Sequence, residues 1–279
     1  MKTGLSVCLL LLGGGASLLA DVQVVTPSNM GNWSFAVYDV NGNPCPACGS
    51  ASMVTGPGTP PLGVGSANLQ TVVGGGDGAA AIGYDGTALN GLALEALTVL
   101  SYSTYDTANN LQQFPYLKLY ISTTGGSTAN DALYFEPPYQ TQSTGNPSLP
   151  DQGATAMGAW QTWNALEGGW WDDNGHFTAG AGNRLGSIAD YLSLFPNATI
   201  VTGSTGFDLR LAVGYASAGQ TFNGNVDNVT IGTTSGSTTF DFEPNAVPEP
   251  ASIVLLAAFL FAALVARIGL RIRKRHFAA

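Results

Sequence analysis

The run YLKLYIST, residues 116–123, repeats every second residue: Leu117, Leu119 and Ile121 share one face, Lys118 and Tyr120 the other. That period fits a strand with one side against a core. Similar runs recur along the chain. NWSFAVYDV (32–40) ends in the turn cluster NGNP, ALEALTVLSYSTYDT (93–107) alternates from Thr98, and DALYFE (131–136) stops at Pro137 and Pro138. AWQTWNAL (159–166), ATIVTG (198–203), FDLRLAVGYAS (207–217), NVDNVTIG (225–232) and TTFDFEP (238–244) follow, separated by Gly, Asn and Ser clusters. Short strands spaced by turn signals predict an all-β sandwich or barrel. One short helix is expected in SIADYLSLFPN (187–197). Ser187 stands as N-cap with Asp190 three residues on, Ile188, Leu192 and Phe195 share a face, and Pro196 closes it.

Both flanks read as processing segments and are set apart from the fold. MKTGLSVCLLLLGGGASLLADVQ begins with Lys2, runs apolar from Leu5 to Leu12 and continues in small residues. This is the order of a secretory signal peptide over residues 1–20, cut after Ala20, with Leu18 larger than the small residue usual at that position. The apolar run is too short to span a bilayer. Cys8 lies inside it, too early for a lipid-modified cysteine.

Between the flanks, residues 21–247 carry 17 carboxylates and three cations, Lys118, Arg184 and Arg210, a net charge of −14 against −9 for the whole chain. Three cations cannot neutralise many phosphates, which argues against nucleic-acid binding. The positive charge collects at the other flank instead.

That flank reads VPEPASIVLLAAFLFAALVARIGLRIRKRH, residues 247–276. Residues 251–266 hold no charge, but sixteen helical residues cover only roughly 24 Å of the about 30 Å of a bilayer core. Arg267 can snorkel, and counting on to Leu270 completes a span. Arg271, Arg273, Lys274 and Arg275 follow at once. Cations beside a span stay cytoplasmic, so the acidic body is expected outside, the orientation the leader also demands. Pro248 and Pro250 around Glu249 lack the N–H that a helix or ladder needs, and hold 245–250 extended before the span.

Val247, Pro248, Glu249 and Pro250, a hydrophobic helix over 251–270 and a basic tail over 271–279 closely resemble the PEP-CTERM sorting signal of Gram-negative bacteria. The resemblance covers about 30 residues. It implies export through the Sec translocon, a transient inner-membrane anchor, recognition by an exosortase with cleavage near residues 248–250, and release to the cell surface or matrix. It also implies a setting of extracellular polysaccharide synthesis. Residues 187–232 look like the closing strands of jelly-roll domains of bacterial surface and carbohydrate-binding proteins, with a penultimate alternating strand, a glycine turn and a VDNV strand. This implies a jelly-roll β-sandwich over residues 21–244 and polysaccharide as a ligand class.

The candidate site residues each carry a plain alternative. Cys45 and Cys48 in PCPAC are the only cysteines of the mature body and are expected to form a tight disulfide outside the cytosol. A thioredoxin-like pair would need a helix start in a βαβ setting, and a zinc half-site needs two more ligands where the body has one histidine, His176. Trp160, Trp163, Trp170 and Trp171 crowd into twelve positions and read as core. Adjacent residues on a strand face opposite ways, however, so one of Trp170 and Trp171 is expected near the surface. Trp170, Trp171 and Asp172 are therefore the candidate carbohydrate-binding set, although Asp172, Asp173 and Asn174 also fit a solvated turn. Asp227, Asp241 and Glu243 offer oxygen ligands for a structural Ca²⁺. No metal or other cofactor is otherwise expected.

No catalytic set stands out. Glu136, Glu167, Asp172 and Asp173 are the carboxylates a polysaccharide hydrolase would draw on. Ser-His-Asp chemistry would have to use His176, and no G-x-S-x-G is present. The glycine-rich GVGSAN and VGGGDG carry no phosphate-binding lysine. The sequence therefore points to an exported, non-catalytic matrix or surface protein. A secreted polysaccharide-active enzyme and, less strongly, a redox protein working through Cys45 and Cys48 stand as alternatives.

Overall fold

The computed structural model describes residues 21–72, 78–108, 113–214 and 220–245. The leader at 1–20, the motif at Val247, Pro248, Glu249 and Pro250, the span and the basic residues Arg267, Arg271, Arg273, Lys274 and Arg275 lie outside them. Among the described residues no helix is long and apolar enough to cross a membrane.

The described residues form an all-β body with two sheets and one α-helix. In order the strands are β1 (Asp21–Val25), β2 (Trp33–Tyr38), β3 (Gly49–Thr55), β4 (Gly65–Thr71), β5 (Ala79–Tyr84), β6 (Leu97–Ala108) and β7 (Tyr116–Ser122). Then come β8 (Asp131–Phe135), β9 (Gln161–Asn164), β10 (Trp171–Asp172), helix α1 (Ile188–Leu194), β11 (Thr199–Ile200), β12 (Leu209–Gly214), β13 (Asn223–Thr233) and β14 (Gly236–Phe242). The first sheet runs β1-β14-β13-β4-β3, with β6 on the other edge of β13 and β9 beyond β6. The second runs β10-β8-β7-β12-β5-β2, with β11 beside β7. Neighbours are antiparallel except β1 and β14, which run parallel.

Strand β13 organises the first sheet. Along one edge it pairs with β6; along the other it pairs with β4 through Val226 and with β14 from Val229. The change of partner falls at Asp227 and Asn228, where the ladder to β6 shifts register and Asn228 takes φ 53°. A bulge of this kind needs a residue that tolerates the left-handed region, and asparagine does so better than other non-glycine residues. The VDNV sequence is thus read out as a strand that splits its edge between two partners.

The inner faces meet in one apolar core. Trp163, Trp170, Tyr102, Phe135 and Phe222 are fully buried between the sheets. Trp33 of β2 reaches across to β14, its ring edge-on to Phe240 and Phe242 at 5.1 and 5.0 Å. Each such side chain contributes about 1.5–3 kcal/mol by leaving water, and paired rings add to that. Helix α1 begins with the expected capping box. Ser187 Oγ accepts from Asp190 N at 3.0 Å and Asp190 Oδ2 accepts from Ser187 N at 2.8 Å. Its most buried residue is Tyr191, which the apolar spacing did not single out.

Strand β5 reads AAAIGY and is buried throughout. Alanine and glycine are poor strand formers, but β5 lies between β2 and β12 and its small residues let large neighbours close over it. A Cβ on Gly83 would stand 2.3 Å from the Phe207 ring.

Candidate functional site

Strand register sets one row of residues across the outer face of the second sheet. Trp171 of β10 is opposite Tyr134 of β8, Tyr134 is opposite Lys118 of β7, Lys118 is opposite Arg210 of β12, and Arg210 is opposite Gly83 of β5. Side chains that are direct cross-strand partners stand about 4.5–5.5 Å apart at Cβ. The row therefore begins with two aromatic rings, continues with two cations and ends at a glycine covered by Phe207. It forms the floor of a cleft of about 370 Å³, walled by Tyr116, Tyr120 and Glu136 and by the turns at Asn41 and Thr205.

The aromatic end is tightly ordered. Trp171 and Tyr134 stack with centroids 3.9 Å apart and planes 4° from parallel. Lys118 Nζ lies over both neighbouring tyrosine rings, 4.5 Å from the Tyr134 centroid and 4.7 Å from that of Tyr120. These cation–π contacts and a hydrogen bond from Nζ to the Tyr134 hydroxyl hold the ammonium in place. Tyr120 is fixed in turn by Thr205 Oγ1 at 2.7 Å. The Arg210 guanidinium lies over the Tyr38 ring at 5.8 Å, and its Nη2 is 3.5 Å from the Tyr116 hydroxyl.

Electrostatically the cleft is a buried, positively biased pocket on an acidic body. Burial and the repulsion of Arg210 lower the Lys118 pKa to about 8, partly offset by Asp173, whose Oδ2 is 3.7 Å away at the rim, and by Asp131. Burial raises Glu136 to about 7, against which the Trp171 indole acts. That indole Nε1 is buried and makes no hydrogen bond of ordinary geometry. Burial, and then the charge of Asp173, also push the Tyr134 hydroxyl far up, so it stays a neutral donor and acceptor.

Of the expected carbohydrate-binding set only Trp171 reaches this face. Trp170 is 1% exposed, packs edge-on against Phe135 and donates from Nε1 to Ala165 O at 2.9 Å. It is a core residue: it stands just before β10, bridged to Gly186, and points opposite to Trp171. Asp172 is also buried and does not belong to a solvated turn. Its oxygens accept from His176 Nδ1 at 2.7 Å, His176 N at 3.2 Å and Phe177 N at 2.5 Å, tying the turn to the sheet. Asp131, Asp172 and His176 come within 4.8 Å of one another, but their oxygens are engaged by those donors, by Tyr191 Oη on Asp131 at 2.7 Å and by Ala132 N.

Trp163 is buried, its Nε1 bonded to Thr104 at 2.8 Å, whereas Trp160 lies just before β9, partly exposed against Tyr105. Glu136 borders the cleft; Glu167 is exposed and does not, so the two form no pair across it. Cys45 and Cys48 are disulfide-bonded, Cα–Cα 5.4 Å, around a 3-10 turn that carries the chain from β2 in one sheet to β3 in the other. That setting holds no α-helix start of the redox kind.

Asp227, Asp241 and Glu243 gather beneath residues 62–65. Asp227 accepts from Leu62 N at 3.2 Å and Phe242 N at 3.1 Å; Glu243 accepts from Val64 N at 2.6 Å and Gly65 N at 3.1 Å. Gly63, at φ 52°, passes so close that a Cβ would overlap the Glu243 carboxylate. Asp241 Oδ1 is buried and makes no hydrogen bond of ordinary geometry, with Glu243 beside it. Burial, aided by neighbouring carboxylates, raises Asp227 to about 7 and Asp241 to about 6. The first task of Asp227 and Glu243 is to anchor backbone N–H groups.

Sequence reasoning named Lys118 and Tyr120 as the outward face of β7 but did not connect them to Arg210, Tyr134 or Tyr116. The available signal was the repeated pattern L-K-L in β7 and L-R-L in β12. Each puts a cation between leucines that face the core, on strands that turn out to be neighbours. No family model, curated protein or solved structure matches the chain.

Proposed function

We propose that this chain is an exported surface or extracellular-matrix protein whose body binds exopolysaccharide, without catalysis, in the cleft on the outer face of the second sheet. The observation that carries the reading is the ordered Trp171–Tyr134 stack opening onto a polar cleft. Flat aromatic faces match the C–H faces of sugar rings, while the hydroxyls of Tyr116, Tyr120 and Tyr134 offer donors and acceptors for sugar hydroxyls. Concave sites lined by aromatic rings with a few fixed polar groups are the ordinary form of a small-ligand pocket.

The body is read as a jelly roll. Taking β4, β5, β6, β7, β8, β9, β12 and β13 as eight successive strands, the sheets are ordered first-eighth-third-sixth and second-seventh-fourth-fifth, the order of two Greek keys wound together. Strands β3 and β2 extend these sheets beside β4 and β5. Export is supported by the leader, by the Pro-Glu-Pro segment with its apolar and basic sequel, and by a disulfide that suits an oxidising compartment. On this reading an exosortase processes the chain near residues 248–250 after the Sec translocon delivers it.

A second reading, a polysaccharide-active enzyme, is favoured by one observation: Glu136 borders the cleft with its carboxyl raised to about 7, where a general acid or base is poised. Affinity electrophoresis of the full chain through gels containing polysaccharides, with and without Trp171→Ala, tests the binding reading. Retardation lost in the variant supports it, and no retardation in any gel refutes it. Release of reducing ends that Glu136→Gln abolishes would move the assignment to the enzyme.

A further inference from the structure

We propose that the glycan bound in this cleft is acidic, its carboxylate or sulfate seated between Lys118 and Arg210; this rests on the binding reading above. Three observations converge on it.

The first is allocation. Residues 21–247 hold three cations against 17 carboxylates, and two of the three, Lys118 and Arg210, are in this one cleft. A neutral sugar needs no cation, and a body with 17 carboxylates to three cations offers few other places for an anion.

The second is register. Lys118 and Arg210 are direct partners in the β7–β12 ladder. Both are largely buried, at 9% and 3% exposure. Like charges directly opposite on a sheet destabilise it, and partial burial deprives them of the water that would screen the repulsion. Leucines flank each cation on its own strand and face inward, so the pairing follows from the alternation and would be removed by any neutral residue at either place. An anion seated beside both is attracted by two fixed positive charges at once.

The third is preorganisation. The ammonium is held between the Tyr120 and Tyr134 rings and by the Tyr134 hydroxyl. The guanidinium is placed over Tyr38 and close to the Tyr116 hydroxyl. Little side-chain freedom is left to lose when an anion arrives. Trp171 and Tyr134 lie at the end of the same row, so a ring stacked there directs its acidic substituent along the floor toward the cations. Asp173, whose Oδ2 is 3.7 Å from Lys118 Nζ, is half exposed at the rim and is positioned to be displaced from Lys118 by the ligand.

The test uses the full-length chain in affinity electrophoresis and calorimetry. The probes are polygalacturonate, alginate, hyaluronate and dextran sulfate, with carboxyl-reduced polygalacturonate and unmodified dextran as neutral counterparts. The proposal expects at least one acidic polymer to bind at least tenfold more tightly than its neutral counterpart, the preference shrinking as salt is raised. Lys118→Gln and Arg210→Gln should each lower acidic-polymer affinity about tenfold, while Lys118→Arg, which keeps the charge, should retain most of it. Equal binding of acidic and neutral polymers overturns the acidic assignment and leaves the stacking site standing. Binding of none overturns the stacking site itself. Because the neutral-polymer comparison is made on the unaltered chain, the outcome does not depend on the variants folding.

Discussion

Trp171 lies flat on Tyr134, and the two are register partners on β10 and β8. The ladder fixes both backbones and the stack fixes both rings, so the edge of the second sheet ends in a rigid aromatic plate. Its chain neighbour Trp170 faces the opposite way into the core, edge-on to Phe135.

The two tryptophans should therefore separate function from stability. Trp170→Ala removes a fully buried ring and is expected to lower unfolding free energy by about 3–5 kcal/mol. Trp171→Ala should cost about 1 kcal/mol, mainly through the lost stack, yet reduce glycan affinity at least tenfold. Urea melts and affinity electrophoresis on both variants check this, and a Trp171→Ala protein that binds as well as the parent would remove the site.

Glycan binding should weaken as pH rises. Below about 7 Glu136 is neutral, and below about 8 Lys118 is charged. Raising the pH places a negative charge at the cleft and then takes a positive one away, both against an acidic ligand. Asp173 and Asp131 oppose the fall in the Lys118 pKa and Arg210 promotes it. Affinity for an acidic polymer should decline between pH 6 and about 9. Glu136→Gln is expected to flatten the lower part of the profile and Lys118→Arg the upper part. A flat profile in the parent chain counts against both assignments.

Stability should also fall with rising pH. Asp227 and Asp241 have folded pKa values raised to about 7 and about 6, against about 3.9 unfolded. A carboxyl raised on folding favours the native state while protonated. Its contribution is complete below the unfolded value and is lost as pH climbs from about 4 through the folded value. Glu136 acts in the same direction. Between pH 5 and 7 Asp227 alone should cost on the order of 2 kcal/mol. Urea melts at pH 5 and pH 8 measure this, and Asp227→Asn should remove that share. A calcium ion held by Asp227, Asp241 and Glu243 would reverse the trend, so the same melts with millimolar calcium decide whether the cluster takes one.

The disulfide closes only a short loop, so removing it by Cys45→Ser with Cys48→Ser should cost at most roughly 2 kcal/mol on chain-entropy grounds. Glycan affinity should stay within about twofold, since neither cysteine borders the cleft. Loss of binding at unchanged stability would revive a functional role for the pair.

Much was legible in the sequence: β2, β7, β8, β9, β11 and β12 fall within the stretches singled out, and β6, β13 and β14 run past theirs by one or two residues. The β6 boundary emerged to within a residue, because Thr98 is where alternation begins and Leu97 is where the strand does. What escaped were β1, the two-residue β10, and β3, β4 and β5, whose residues are mostly small or polar. GSANLQT becomes β4 only because β13 and β3 supply ladders on both sides, and AAAIGY becomes β5 because Phe207 and its neighbours need its lack of bulk. Those are properties of partners distant in the chain. The cleft was half legible for the same reason. Each cation could be placed on its strand's outer face, but that β7 and β12 lie side by side is decided by topology, not by local period.

The parallel union of β1 with β14 has a consequence for delivery. The first strand of the body completes its edge only with residues 238–242, and β4 and β5 likewise wait for β13 and β12. On the proposed export route, neither sheet of the described residues is finished until β12, β13 and β14 have emerged. Such long-range closure folds slowly: β2 can pair early with β5 and β3 with β4, while β1 waits as an unpaired ribbon for β14.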